Sequence, residues 1–154
     1  MKTIHRGAFA EVGLRSDFAE AYYSVSRASV LRGMHCQAAP YEHSKLVYCV
    51  VGRVLDVTVD LRREGPRFGA FAVVELSAAS GNMVYIPPGF AHGFLVLEEQ
   101  AIVAYHVTSE HEPTADMGVR WDSFGFEWPV REPVVSARDA ALPSLTEFRG
   151  AFSR

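Results

Sequence analysis

The sequence predicts an all-β domain, an antiparallel sandwich or barrel, and three observations carry that prediction. The stretch Val54-Leu55-Asp56-Val57-Thr58-Val59-Asp60-Leu61 alternates strictly, with Leu55, Val57, Val59 and Leu61 on one face and Asp56, Thr58 and Asp60 on the other. Five further runs, at 44–51, 71–76, 83–86, 93–97 and 101–107, are rich in β-branched and aromatic residues and end in Gly, Pro, Ser or Glu clusters. No helix-period pattern of comparable strength competes, and short strands joined by short turns pair antiparallel.

In chain order, 21–26 reads as a strand at a sheet edge. Leu31-Arg32-Gly33-Met34-His35-Cys36-Gln37, if extended, places His35 and Gln37 on one face. Gly52 in Val51-Gly52-Arg53 reads as a hairpin turn between two strands, and Gly65-Pro66 and Pro87-Pro88-Gly89 punctuate others. The tail differs in character: 122–143 holds many turn residues, and Trp121, Phe124, Phe126 and Trp128 suit a segment wrapping over a sheet. Only 144–152 reads as a short terminal helix. There is no internal repeat or low-complexity segment.

A chain of 154 residues suits a single domain, 1–154, with its own core. Its net charge is −3 with Lys and Arg scattered, so nucleic acid is not an expected partner. No apolar run approaches the roughly 20 residues that span a bilayer, and Met1-Lys2-Thr3-Ile4-His5-Arg6 lacks the apolar core of a signal peptide. The expected location is the cytoplasm, with no membrane partner. Cys36 and Cys49 lie in apolar segments without Cys-x-x-Cys spacing, which fits reduced thiols.

Chemistry gathers around His35. A histidine among apolar neighbours is commonly a satisfied core residue, but Arg32 and Gln37 accompany this one and Lys45 follows within Lys45-Leu46-Val47-Tyr48-Cys49. An ammonium in such a run must reach solvent or face an anion. His92, in Ile86-Pro87-Pro88-Gly89-Phe90-Ala91-His92-Gly93-Phe94, is a second imidazole in apolar surroundings. His35, His43 and His92 together raise a metal hypothesis. The expectation is nevertheless of no metal, because the triplet is His35-Cys36-Gln37 rather than His-x-His, and Glu42 precedes His43.

Over about 22–145 the sequence resembles the nucleotide-sugar 3,5-epimerases typified by dTDP-4-dehydrorhamnose 3,5-epimerase. The resemblance rests on Val30-Leu31-Arg32-Gly33-Met34-His35-Cys36-Gln37, Lys45-Leu46-Val47-Tyr48-Cys49, Asp56-Val57-Thr58-Val59-Asp60-Leu61-Arg62, the passage from Ile86 to Phe94, and Ser136-Ala137-Arg138-Asp139. It implies a cupin-type jelly-roll β-barrel with short flanking helices, a homodimer, and no cofactor. It implies a nucleotide-diphosphate sugar substrate, a 4-keto-6-deoxyhexose, used in deoxysugar and surface-polysaccharide biosynthesis.

By the same resemblance His35 matches the family's general base and Asp139 its carboxylate partner, while Lys45, with Arg32 and His92, would stabilise an enolate. Gln37, Asp116 and Arg138 match positions that contact substrate or line the pocket mouth. The acid that returns a proton on the opposite face is, in the family, a tyrosine two residues before a proline. The matching position is His111, ahead of Pro113. An imidazolium is a competent acid, and Glu110 or Glu112 could keep it charged; equally, His111 could be a solvated loop residue, with inversion at one carbon lost. A second departure is Tyr22-Tyr23-Ser24-Val25-Ser26-Arg27, where the family often has Gln-Asp-Asn, which opens the identity of sugar and base. A 3,4-ketoisomerase, a metal-dependent cupin oxygenase and a sugar-nucleotide binding protein are the alternatives.

Overall fold

The computed structural model describes residues 2–63 and 65–151. After a short helix α1 (Arg6–Glu11), eight strands carry the architecture: β1 (Glu20–Arg27), β2 (Val30–Gln37), β3 (Lys45–Val51), β4 (Arg53–Asp60), β5 (Phe71–Ser77), β6 (Met83–Ile86), β7 (Phe90–Val96) and β8 (Gln100–Val107). A 3₁₀ turn (Pro113–Ala115), the short strands β9 (Asp116–Gly118) and β10 (Val134–Val135), and the helices α2 (Ala137–Ala140) and α3 (Leu145–Ala151) complete the tail. The terminal helix thus lies where the sequence placed it, with Phe152 outside the described residues. The helices α1 and α2 are short flanking helices of the kind the resemblance implies, at positions no periodicity marked; α1 is capped by the His5 imidazole, which accepts from Ala8 N–H.

One sheet runs β1-β8-β3-β6 and the other β10-β2-β7-β4-β5, with β9 also paired to β2. The two sheets face one another as a jelly roll that is an open sandwich rather than a closed barrel. Along β1 to β8 consecutive strands change sheets, except β4 and β5, which pair as neighbours in one. Gly52 joins β3 to β4, which lie in different sheets, so it is a crossing turn rather than a hairpin. Its φ of +75° and the contact a Cβ would make with the Gln100 carbonyl oxygen explain the glycine.

The β4 alternation has an outcome the pattern did not convey. Val57, Val59 and Leu61 face outward, into a cluster with Met34, Ala91, Val119, Phe124 and Phe148. The tail covers that face, Phe126 and Trp128 packing against it as the aromatic spacing suggested. The polar face of β4 is buried as well, pointing between the sheets: Asp56 is 0% exposed and Asp60 2%. Asp60 is satisfied by Arg62, whose Nη2 stands 2.6 Å away and whose guanidinium holds the carboxyl below its usual range. Between the sheets, Val47, Val54, Leu76, Phe94, Val96 and Val103 form the other apolar cluster. Each such side chain contributes roughly 1.5–3 kcal/mol by leaving water, and together they close one end of the sandwich. The other end stays open.

Candidate active site

The open end is a cavity of about 760 Å³, within the range of small-molecule sites. All nine residues singled out from the sequence line it: Arg32, His35, Gln37, Lys45, His92, His111, Asp116, Arg138 and Asp139. Both sheets contribute, β2 and β7 from one and β3 from the other, while α2 and the loop after β8 close the rim.

The face of β2 that meets the cavity is set by a bulge. Arg32 pairs with Phe94 and His35 with His92, so three steps on β2 match two on β7. Without the extra residue Arg32 and His35 would point to opposite faces; with it, Arg32, His35 and Gln37 share one. Gly33 makes the bulge possible. Its φ is +117°, and a Cβ there would stand 2.5 Å from Gly93 Cα.

The bulge also anchors the catalytic candidate pair. Asp139 Oδ2 accepts from Gly33 N–H at 3.0 Å, and Asp139 Oδ1 accepts from His35 Nε2 at 2.8 Å. Ser136 caps α2 by accepting from Asp139 N–H, which fixes the helix that carries the carboxylate. Burial disfavours the charge on Asp139, but the bonds from His35 and Gly33 outweigh it and hold the carboxyl below its ordinary range. With Nε2–H committed to this carboxylate, Nδ1 of His35 is the nitrogen left to take a proton.

Lys45 is 8% exposed, and its Nζ donates to the His35 carbonyl at 3.1 Å, leaving two N–H groups for a ligand. Burial pushes its pKa down, with Cys36, Asp116 and Asp56 pulling the other way. An ammonium so placed gives up a proton, or binds an oxyanion, more readily than one in water. Behind it, His92 Nε2 meets Asp56 Oδ2 at 2.7 Å, both deeply buried, and Asp56 Oδ1 has no partner among the described residues.

Two expected ligand contacts are already engaged. Arg138 is ion-paired with Asp116 at the rim. Gln37 donates from Nε2 to the Glu112 carbonyl at 2.8 Å and toward His111 Nδ1 at 3.2 Å, so both its N–H groups serve the loop. Arg32 donates Nε–H to Ser26 Oγ at 2.8 Å and keeps an exposed head. His111 sits exposed on the rim, and the Glu112 carboxylate is turned onto Thr114 N and Oγ1 rather than toward it.

Several lining residues were not singled out as site residues from the sequence. Tyr22 and Tyr105 stack at 4.7 Å as a cross-strand pair, and Tyr105, buried, has its phenol pushed well above its usual pKa by burial. Alternation along 101–107 carried that signal, since Ala101, Val103, Tyr105 and Val107 all turn inward. His43, weighed only as a metal ligand, donates Nδ1–H to Ser109 Oγ, whose own hydrogen goes to the Tyr41 carbonyl. Burial, then the charge on Lys45, brings His43 down to about 4. His35, His43 and His92 are thus turned to three separate partners. Among the described residues no three His, Cys, Asp or Glu groups stand together to hold a metal. Cys36 and Cys49 are buried free thiols, and burial raises Cys36 to about 11.

The family model for dTDP-4-dehydrorhamnose 3,5-epimerase matches residues 1–147. The dTDP-4-dehydrorhamnose 3,5-epimerase of Shigella flexneri is 41% identical over 142 residues, spanning 90% of this chain and 78% of that protein. The chain belongs to the dTDP-4-dehydrorhamnose 3,5-epimerase family. Among solved structures, a 4-keto-6-deoxy sugar epimerase from the novobiocin gene cluster of Streptomyces spheroides superposes with a TM-score of 0.94 at 34% identity, over 97% of this chain and 77% of that one. A 3'-monoepimerase from Streptomyces bikiniensis, in complex with dTDP-quinovose, gives 0.89 at 31%, over 94% and 75%. No helix among the described residues is long and apolar enough to cross a membrane.

Proposed function

We propose that this isomerase inverts carbon alpha to the ketone of a nucleotide-linked 4-keto-6-deoxyhexose, with His35 as base. The observation that carries the reading is the Asp139–His35 hydrogen bond at 2.8 Å on the wall of a large cavity. The carboxylate holds the imidazole as the Nε2–H tautomer, leaves the Nδ1 lone pair to take a proton and faces the imidazolium that forms. The C–H bonds at C3 and C5 are acidified by the C4 carbonyl, and removal of either proton gives an enolate. Lys45 is placed to hold that oxygen in a site where little water competes. Arg32 and Lys45 bring two cations to the cavity wall, groups suited to the oxygens of a diphosphate.

Incubation with dTDP-4-keto-6-deoxyglucose in deuterated water tests the reading. Deuterium at C3 or C5 of the recovered sugar is expected; its absence at both would sink the proposal. Product stereochemistry distinguishes epimerisation from movement of the carbonyl to C3.

The active unit on this reading is a cytoplasmic homodimer. Strand β1 is a free sheet edge, and Tyr23, Val25 and Val50 on the outer face of its sheet are 70%, 47% and 50% exposed. A second copy would cover that face. Sedimentation of the wild type as a dimer and of Tyr23→Glu as a monomer is the expected result, and a monomeric wild type would contradict it.

A further inference from the structure

The bonds around Gln37 fix which way its amide points. Glu112 N–H can only donate, so the atom accepting from it at 3.2 Å is Oε1, and Nε2 is the donor end. One Nε2–H goes to the Glu112 carbonyl and the other points at His111 Nδ1. That nitrogen must then present a lone pair, which is the neutral ring carrying its proton on Nε2. A proton on Nδ1 would set two donors against each other at 3.2 Å. The Glu112 carboxylate takes its hydrogen bonds from Thr114 rather than from the ring, and Glu110 lies exposed on the loop.

We propose that Gln37 is a positioning residue that keeps His111 as a neutral Nε2–H donor, so that His111 binds a substrate oxygen instead of delivering a proton to carbon. The inference rests on the epimerase reading above. A neutral imidazole that surrendered Nε2–H would become an anion beside the Gln37 amide, whereas a hydrogen bond leaves the proton on the ring. The reaction balances without His111 as acid. His35 removes one proton from carbon, a water supplies one to the opposite face, and the hydroxide left behind takes the proton held on His35. Inversion is then confined to whichever of C3 and C5 a water can reach, and the other centre, reprotonated by His35 on the face it left, exchanges with retention.

Two measurements on the full chain test this. In a long-range ¹H–¹⁵N spectrum of histidine-labelled protein with dTDP bound, the His111 ring, identified by its loss in His111→Gln, is expected to show an unprotonated Nδ1 and a protonated Nε2. Gln37→Glu, which replaces the donor with an acceptor of the same shape, is expected to move a proton onto Nδ1. By product stereochemistry one of C3 and C5 is expected to invert about tenfold faster than the other or more, and His111→Tyr to narrow that ratio. A protonated Nδ1 in the wild type overturns the proposal, as does equally fast inversion at the two carbons. Absence of exchange at both carbons counts against the epimerase reading instead, and the spectrum then decides the tautomer alone.

Discussion

Two histidines on one cavity wall, His35 and His111, are held through opposite nitrogens by partners of opposite character. His35 gives Nε2–H to the Asp139 carboxylate and keeps Nδ1 as a lone pair, whereas His111 receives the Gln37 amide at Nδ1 and keeps Nε2–H. The rings carry the same tautomer and offer the substrate opposite functions, one a base and the other a donor. What the difference teaches is that the role of an imidazole is read from the atom its partner occupies. The two partners sit on a common frame, since His35 and Gln37 are neighbours on the same face of β2.

The comparison is broken most severely at Asp139. Replacing it by Asn offers the Nε2 side an amide in place of a charge, and turnover is expected to fall on the order of 10²-fold or more with little change in KM. Steady-state kinetics checks this; a wild-type rate would mean that Asp139 does no more than hold α2 in place. Gly33→Ala comes next. The added Cβ meets Gly93 Cα and the His92 carbonyl, both backbone, in a region of φ that alanine resists. A stability loss of about 1–3 kcal/mol in urea unfolding is expected, together with weaker His35 chemistry, because the Gly33 N–H that orients Asp139 is displaced.

The smallest effect sharpens the contrast through a third histidine. His43 sits near 4 in the folded protein against an ordinary 6.5, so the unfolded chain takes its proton first as pH falls. Its contribution to stability is complete above about pH 6.5 and is lost progressively down to about pH 4. Unfolding at pH 7.5 and pH 5 should differ by about 1–2 kcal/mol more in the wild type than in His43→Gln. An identical difference in both proteins would show that His43 titrates normally.

Strands 44–51, 83–86 and 101–107 were legible because a half-buried strand writes its faces into the sequence, and the observed strands Lys45–Val51, Met83–Ile86 and Gln100–Val107 match them closely. The alternation of β4 was legible as a strand but not as two buried faces. The pattern placed Asp56 and Asp60 on the polar face without saying what meets them, because the partners that satisfy them, His92 and Arg62, are found only in the fold. The His35–Gln37 pairing on one face was visible from period 2, while Arg32 joins them only through the bulge, which inserts a residue that no alternation records. Gly52 looked like a hairpin because a tight glycine turn reads the same whether the chain returns beside itself or crosses to the other sheet. At the rim the sequence showed Glu110 and Glu112 flanking His111 and left a charged acid and a solvated loop residue equally open. The partner that meets it is Gln37, 74 residues away in the chain.

The most direct test of the account compares exchange of solvent deuterium into the sugar by two variants, His35→Ala and His111→Ala. Loss of the base is expected to slow exchange at both C3 and C5 by roughly two to four orders of magnitude. Loss of a hydrogen-bond donor is expected to slow the faster carbon by only about tenfold. Equal losses in the two variants, or a larger one in His111→Ala, would contradict the assignment of His35 as base and His111 as donor.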